Sequence, residues 1–217
     1  MFKLEPRLRG LTAMDYRGSQ QFDKFMLWID AVGGFWVCLG DKVTLGQPTA
    51  CGTVDVPILA DISSRHARIR RDGEGYLIEA IREVQVDGLE VEKMAALSDG
   101  SRITLGEGVR LAFRRPHALS ATARLDFASH HRTQPSADAV LLMADSCVLG
   151  PKSSSHVVCR EWDEEVILYR HDEQLYCRTK AALTIDGVRY QGRGRITVNS
   201  HIEGEGFSLS LEGIRHS

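Results

Sequence analysis

Turn-forming residues interrupt this chain at intervals that favour short antiparallel strands over βαβ units. Val32-Gly33-Gly34, Gly40-Asp41, Asp72-Gly73, Asp87-Gly88, Asp99-Gly100, Asp186-Gly187 and Gly204-Glu205-Gly206 all fall between apolar runs, and such pairs support the tight turns that connect strands. Within the runs the apolar residues recur with period two. Val109, Leu111 and Phe113 alternate with Arg110 and Ala112, and Phe207, Leu209 and Leu211 alternate with Ser208 and Ser210, the pattern of half-buried strands. Helical periodicity is weak throughout. Its best stretch, Glu90 to Leu97, lacks a cap and fits a loop or a single turn equally well. The expectation is an all-β fold of sandwich type.

The second half of the chain repeats the first. Asp41-Lys-Val-Thr-Leu-Gly46 reappears as Asp145-Ser-Cys-Val-Leu-Gly150, and Arg70 to Tyr76 as Arg170 to Tyr176. Val86-Asp-Gly88 matches Ile185-Asp-Gly187, Arg102-Ile-Thr104 matches Arg195-Ile-Thr197, and Gly106-Glu-Gly108 matches Gly204-Glu-Gly206. The blocks keep their order at offsets between 93 and 104 residues, differences that loops absorb cheaply. Internal duplication explains five collinear matches better than chance does. Arg114 to Ala139, with Pro116, Pro135 and several serines and histidines, marks the boundary between the copies. The predicted organisation is an N-terminal segment at 1–23, a first domain at 24–115, a linker at 116–138 and a second domain at 139–217. Thr122 to Phe127 in the linker alternates as a strand would, and is a candidate shared strand that either closes the first sandwich or opens the second.

Composition narrows the function. A length of 217 residues with 43% hydrophobic and 26% charged residues suits two small folded domains. The net charge of -2 supplies no basic field for nucleic acid or an anionic membrane. Met1 to Gly18 contains no apolar signal-peptide core and no run is long enough to span a bilayer, so a cytoplasmic protein is expected. Cys38, Cys51, Cys147, Cys159 and Cys177 are odd in number and contain no C-x-x-C pair, which favours reduced thiols over disulfides or a zinc site.

Residues Met26 to Phe113 resemble the forkhead-associated (FHA) domain family. The resemblance rests on Val43-Thr-Leu-Gly46, on Val54 to Ile69 with its Ser63-Ser-Arg-His66 element, on Val86-Asp-Gly88, and on Leu97 to Gly106. It implies two FHA-like antiparallel β-sandwiches in tandem, the second degenerate, whose loops at one end hold a phosphothreonine peptide. Phosphate near neutral pH carries close to two negative charges, so a reader needs several converging donors, ideally with a guanidinium.

The family's pattern uses an arginine after the strand-three glycine, the serine and histidine of Ser-x-x-His, and a later asparagine that binds the peptide backbone. Gly46, Ser63 and His66 match, the last as the brace of the binding loop. Gln47 stands in place of the arginine and Arg82 in place of the asparagine. Two readings follow. In one, Arg65 or Arg82 supplies the missing guanidinium, so that Gln47, Ser63, Ser64, Arg65 and Arg82 line a phosphopeptide site. In the other, Ser63 and His66 only hold their loop together. In the second copy Pro151 follows Gly150, and aligning Tyr76 with Tyr176 places Asp163 at the serine and Val166 at the histidine.

Other constellations read as structural. In Arg65 to Arg71, Ala67 and Ile69 share the face opposite Arg68 and Arg70, which describes a solvated strand face. His117, His130 and His131 lack the spacing of a closed metal site. Lys152-Ser-Ser-Ser-His156 lacks the phosphate-loop arrangement and reads as a surface loop. No nucleophile motif appears, and neither enzyme activity nor a cofactor is implied. The expected partner is a phosphorylated protein, a substrate of a Ser/Thr kinase. The alternative is a phosphate-independent scaffold that uses a sheet edge or an aromatic patch near Phe25, Trp28, Phe35 and Trp36.

Overall fold

The computed structural model describes residues 23–50, 54–73, 75–117 and 119–214. The N-terminal segment, Cys51 and the last three residues therefore lie outside the described residues. What is described is all-β, without a helix. The first half contributes β1 (Lys24–Ile29), β2 (Gly33–Cys38), β3 (Lys42–Gly46), β4 (Val56–Pro57), β5 (Ala67–Asp72), β6 (Gly75–Ala80), β7 (Val84–Val86), β8 (Leu89–Glu90), β9 (Met94–Leu97), β10 (Arg102–Leu105) and β11 (Val109–Arg114). The second contributes β12 (Ala123–Phe127), β13 (Ala139–Leu142), β14 (Ser146–Gly150), β15 (Val157–Val158), β16 (Val166–His171), β17 (Gln174–Ile185), β18 (Val188–Ile196), β19 (His201–Gly204) and β20 (Phe207–Gly213). The stretch Glu90 to Leu97, open to a helical turn, is thus strand at both ends. Asp87-Gly88 and Asp186-Gly187 form two-residue hairpin turns with all four φ angles positive, the conformation these residue types permit.

Pairings repeat between the halves. β3 pairs β4 in parallel and β5 antiparallel, and β14 does the same with β15 and β16. The loop bonds repeat too. Asp87 accepts from Arg102 N–H and Asp186 from His201 N–H, each at 2.8 Å, while Ser101 and Ser200 each accept a backbone N–H from the residue three before. This correspondence equates Arg102 with His201, so the match of Arg102–Thr104 to Arg195–Thr197 is corrected: Arg195 lies on β18.

The two halves do not close on themselves. One sheet of five strands has the order β4-β3-β5-β6-β9, and a 15-stranded sheet runs β15-β14-β16-β17-β19-β20-β1-β2-β13-β12-β11-β10-β7-β8, with β18 beside β17. The first described strand therefore pairs with the last, β1 with β20. β12 pairs β11 on one side and β13 on the other. Parallel pairing of β2 with β13 joins the exchanged hairpins.

Exchange explains why the central strands are buried on both faces. Met26, Trp36, Cys38, Val140 and Leu142 enter the core beneath the five-stranded sheet, whereas Phe25, Leu27, Ile29, Phe35, Val37 and Leu141 enter the core of the second half. Ala123 and Leu125 of β12 fill the first core in return. Phe25, Phe35 and Trp36 are buried and only Trp28 is partly exposed, at 37%, so they form no aromatic surface patch. Polar contacts pin the crossing. Tyr76 Oη donates to the carbonyl of Ala121 at 2.6 Å, and Thr122 Oγ1 donates to that of Ser146 at 2.6 Å. The thiols of Cys38, Cys147, Cys159 and Cys177 are free and buried, and burial pushes their pKa values up, to about 12 for Cys147 and Cys177.

Full burial of Phe25, Leu27 and Ile29 contributes about 5–9 kcal/mol at ~1.5–3 each, which matches the net stability of a whole domain. Residues 24–115 expressed alone are expected to aggregate or to lose this arrangement, and the full chain to unfold in one transition. Tryptophan fluorescence against urea, with both species compared, checks this.

Candidate functional site at the β3–β4, β4–β5 and β6–β7 loops

Three loops converge where β3 ends. Gly46 closes that strand, and a Cβ there would lie 2.2 Å from the carbonyl oxygen of Ser64 and 2.7 Å from that of Ser63. Only a glycine lets the Ser63–Arg65 loop pack so closely on the strand. Backbone bonds lock the contact: Gln47 N–H donates to Ser63 O at 3.1 Å, and His66 N–H to Leu45 O at 2.9 Å.

His66 is buried and both ring nitrogens are used. Nδ1 accepts Ser63 N–H at 3.3 Å and Nε2 donates to Glu83 O at 2.7 Å, which fixes the neutral Nε2–H tautomer. The His66 carbonyl accepts from both Ile81 N–H, at 3.1 Å, and Arg82 N–H, at 2.9 Å. One residue thus clasps the Ser63 loop to Ile81-Arg82-Glu83, the segment separating β6 from β7. Held there, Arg82 reaches back and its Nε donates to Ser63 Oγ at 3.3 Å.

The geometry separates the expected site residues into two groups. Ser63 and Arg82 meet, with Gly46 and His66 beneath them. Gln47 is exposed at the mouth and engages through its backbone, and Ser64 is half-buried against Gly46. Arg65 is exposed and makes no hydrogen bond or ion pair among the described residues. Behind the site, Ala67 and Ile69 are buried, while Arg68 and Arg70 reach Glu79 at 3.2 and 3.7 Å on the solvated face that the alternation predicts.

The corresponding loop of the second half lacks this machinery. In the ladders Leu45 opposes Ala67 and Leu149 opposes Val166. The place of His66 therefore falls to Glu165 and that of Ser63 to Trp162, one residue from the sequence alignment that chose Val166 and Asp163. Glu165 pairs with Lys152 at 2.8 Å, and Trp162 packs on Phe207 with ring centroids 5.3 Å apart. With no histidine clasp, β17 runs on through a bulge between Arg178 and Ala182 and joins β19 instead of breaking. The Lys152–His156 loop is a surface loop only at its start. Ser155 and His156 are buried, and His156 Nδ1 accepts Val148 N–H at 2.9 Å. His117 stacks on His156, 5.7 Å between centroids, while His130 stacks on His131 at 4.2 Å.

The FHA domain family model matches residues 43–106, a span that contains Gly46, Ser63, His66 and Arg82. Three solved structures show similarity. The FHA-2 domain of the Mycobacterium tuberculosis ABC transporter Rv1747 is 18% identical over 60% of this chain and 97% of its own, with a TM-score of 0.33. An FHA domain from a structural and functional analysis of phosphothreonine-dependent interactions is 24% identical over 38% of this chain and 88% of its own, with a TM-score of 0.28. The Rv0020c FHA structure is 26% identical over 38% and 84%, with a TM-score of 0.27. No curated protein matches the chain.

Gly46→Ala is expected to cost about 1–3 kcal/mol, as overpacking against backbone does, read by urea denaturation. His156 supplies a pH test. Burial first, then His117, lowers its pKa to about 4, below the ~6.5 of the unfolded chain. The unfolded state therefore takes up the proton first as pH falls, and stability is lost between pH ~6.5 and ~4 by an amount on the order of 3 kcal/mol. His156→Gln, which keeps an acceptor for Val148, should flatten that part of the stability–pH curve.

Proposed function

We propose that the first half docks a phosphothreonine-bearing segment of a partner protein, with Arg82 supplying the guanidinium that Gln47 does not. The observation that carries the reading is the approach of Arg82 Nε to Ser63 Oγ at 3.3 Å, both groups at the surface. A phosphate set between them would meet a hydroxyl donor and a fixed cation from a different loop. His66 enters no contact with the ligand in this scheme and acts as a positioning residue. The match of residues 43–106 to the FHA family supports the phosphothreonine as the recognised group. Arg65, exposed on the rim, would meet acidic residues beside it, and Gln47 and Ser64 would donate neutral hydrogen bonds.

On this reading the protein is an interaction module, not an enzyme, and its partner is a Ser/Thr kinase substrate in the cytoplasm. The second half is a degenerate copy of the same sandwich. Its Trp162 and Glu165 cannot grip phosphate, and it serves to complete the first copy by exchanging hairpins with it.

Calorimetric titration with a degenerate phosphothreonine peptide library and its unphosphorylated twin tests the proposal. Binding is expected for the phosphorylated pool alone. Arg82→Ala should weaken it about 10–100-fold, the worth of one or two charged hydrogen bonds, and Gln47→Arg should strengthen it. Equal binding of both pools, or silence from both, would move the protein to the phosphate-independent scaffold class.

A further inference from the structure

The outer sheet face of the second half carries arginines that no acidic group neutralises among the described residues. In the first half Arg68 lies directly opposite Glu79, whose carboxylate serves Arg68 and Arg70. The matching ladder of the second half sets Ile167 opposite Arg178, so a guanidinium occupies the carboxylate's place. On its other side Arg178 faces Arg193 of β18, and the next pair along is Tyr176 with Arg195. Tyr176 stacks in turn on Tyr169, 5.3 Å between centroids at 19°. Arg178, Arg189, Arg193 and Arg195 are all exposed, and among the described residues none of them makes a hydrogen bond or ion pair.

Like charges directly opposite one another destabilise a sheet. Charged side chains do protect an edge strand from aggregation, and β18 is such an edge, since among the described residues it pairs only with β17. Edge protection does not account for the pair, however, because a glutamate at Arg178, as at Glu79, would protect the edge equally and stabilise the ladder. The cationic row instead suits a ligand. Arg193 and Arg195 are two residues apart on one strand, a spacing of about 6.7 Å, which is also the spacing of same-face side chains in an extended peptide. The strand beside them has an unpaired backbone edge.

We propose that β18 is a docking edge for an extended acidic peptide segment, which adds to the sheet as a further strand with its carboxylates against Arg178, Arg193 and Arg195. The backbone edge favours a peptide. Single-stranded nucleic acid binds by stacking bases on open aromatic faces, and here Tyr169 and Tyr176 are stacked on each other. The net charge of -2 confines the attraction to this strip. The site is independent of Ser63 and Arg82 and needs no phosphate.

Fluorescence anisotropy of the full chain with a labelled peptide bearing glutamate at alternate positions, and free of threonine, serine and tyrosine, tests the inference. Binding is expected at low salt and should weaken as salt is added. Arg193→Glu should weaken it by about tenfold or more, and should also raise the melting temperature by pairing with Arg178, which shows that the variant is folded. Absence of binding at low salt, or equal binding by the Arg193→Glu variant, overturns the proposal. Tighter binding of oligothymidylate than of the peptide also overturns it, because the strip is then a nucleic-acid surface.

Discussion

The structure depends on three strands that must be buried on both faces. β1, β2 and β13 lie between two cores and each places residues in both, whereas the buried side chains of β12, Ala123 and Leu125, enter the first core alone. Such strands cannot tolerate polar residues on either side, which is why Phe25-Met-Leu-Trp-Ile29 and Ala139-Val-Leu-Leu142 read as unbroken apolar runs rather than alternating ones. The consequence is mutual dependence. Neither half has a complete sandwich without strands from the other, so the two halves are interlocked by β-pairing and are not two modules on a tether.

Both halves share a ladder geometry, yet one histidine separates their behaviour. His66 uses its two ring nitrogens and its carbonyl to interrupt the strand at Ile81-Arg82-Glu83 and to turn Arg82 toward Ser63. Glu165, at the same ladder position, cannot accept and donate in that way, and the strand continues through a bulge. A strand that breaks to turn Arg82 toward Ser63 and a strand that continues through a bulge thus accompany different side chains at the head of the same ladder.

Much of this was legible in the residues. The hairpin turns at Asp87-Gly88 and Asp186-Gly187, the alternation in β11 and β20, and the cluster of Gly46, Ser63 and His66 all rest on local chemistry, which sequence records directly. Partner choice between strands is not local. Nothing in Thr122–Phe127 states that it bonds to strands of both halves, and nothing in Lys24–Ile29 names β20 as its neighbour. The alignment of the second loop slipped by one residue because Tyr76 and Tyr176 are similar residues on different faces. Tyr76 points into the core and is paired with Phe113, whereas Tyr176 lies on the outer face beside Tyr169. In a strand a slip of one residue exchanges the two faces.

The outer face shows the same point from the side of charge. Glu79 and Arg178 occupy one ladder position, and exchanging a carboxylate for a guanidinium there converts a satisfied cluster into a repelling pair. Composition conceals this, because the overall charge is close to neutral and Arg189, Arg193 and Arg195 are separated in sequence from Arg178 by the hairpin. Only the register brings them together. A fold maintained by its shared central strands can bear such a cost at its edge, since β18 adds Ile196 and part of Tyr190 to the second core while β1, β2 and β13 supply far more of the apolar burial on which both cores rely.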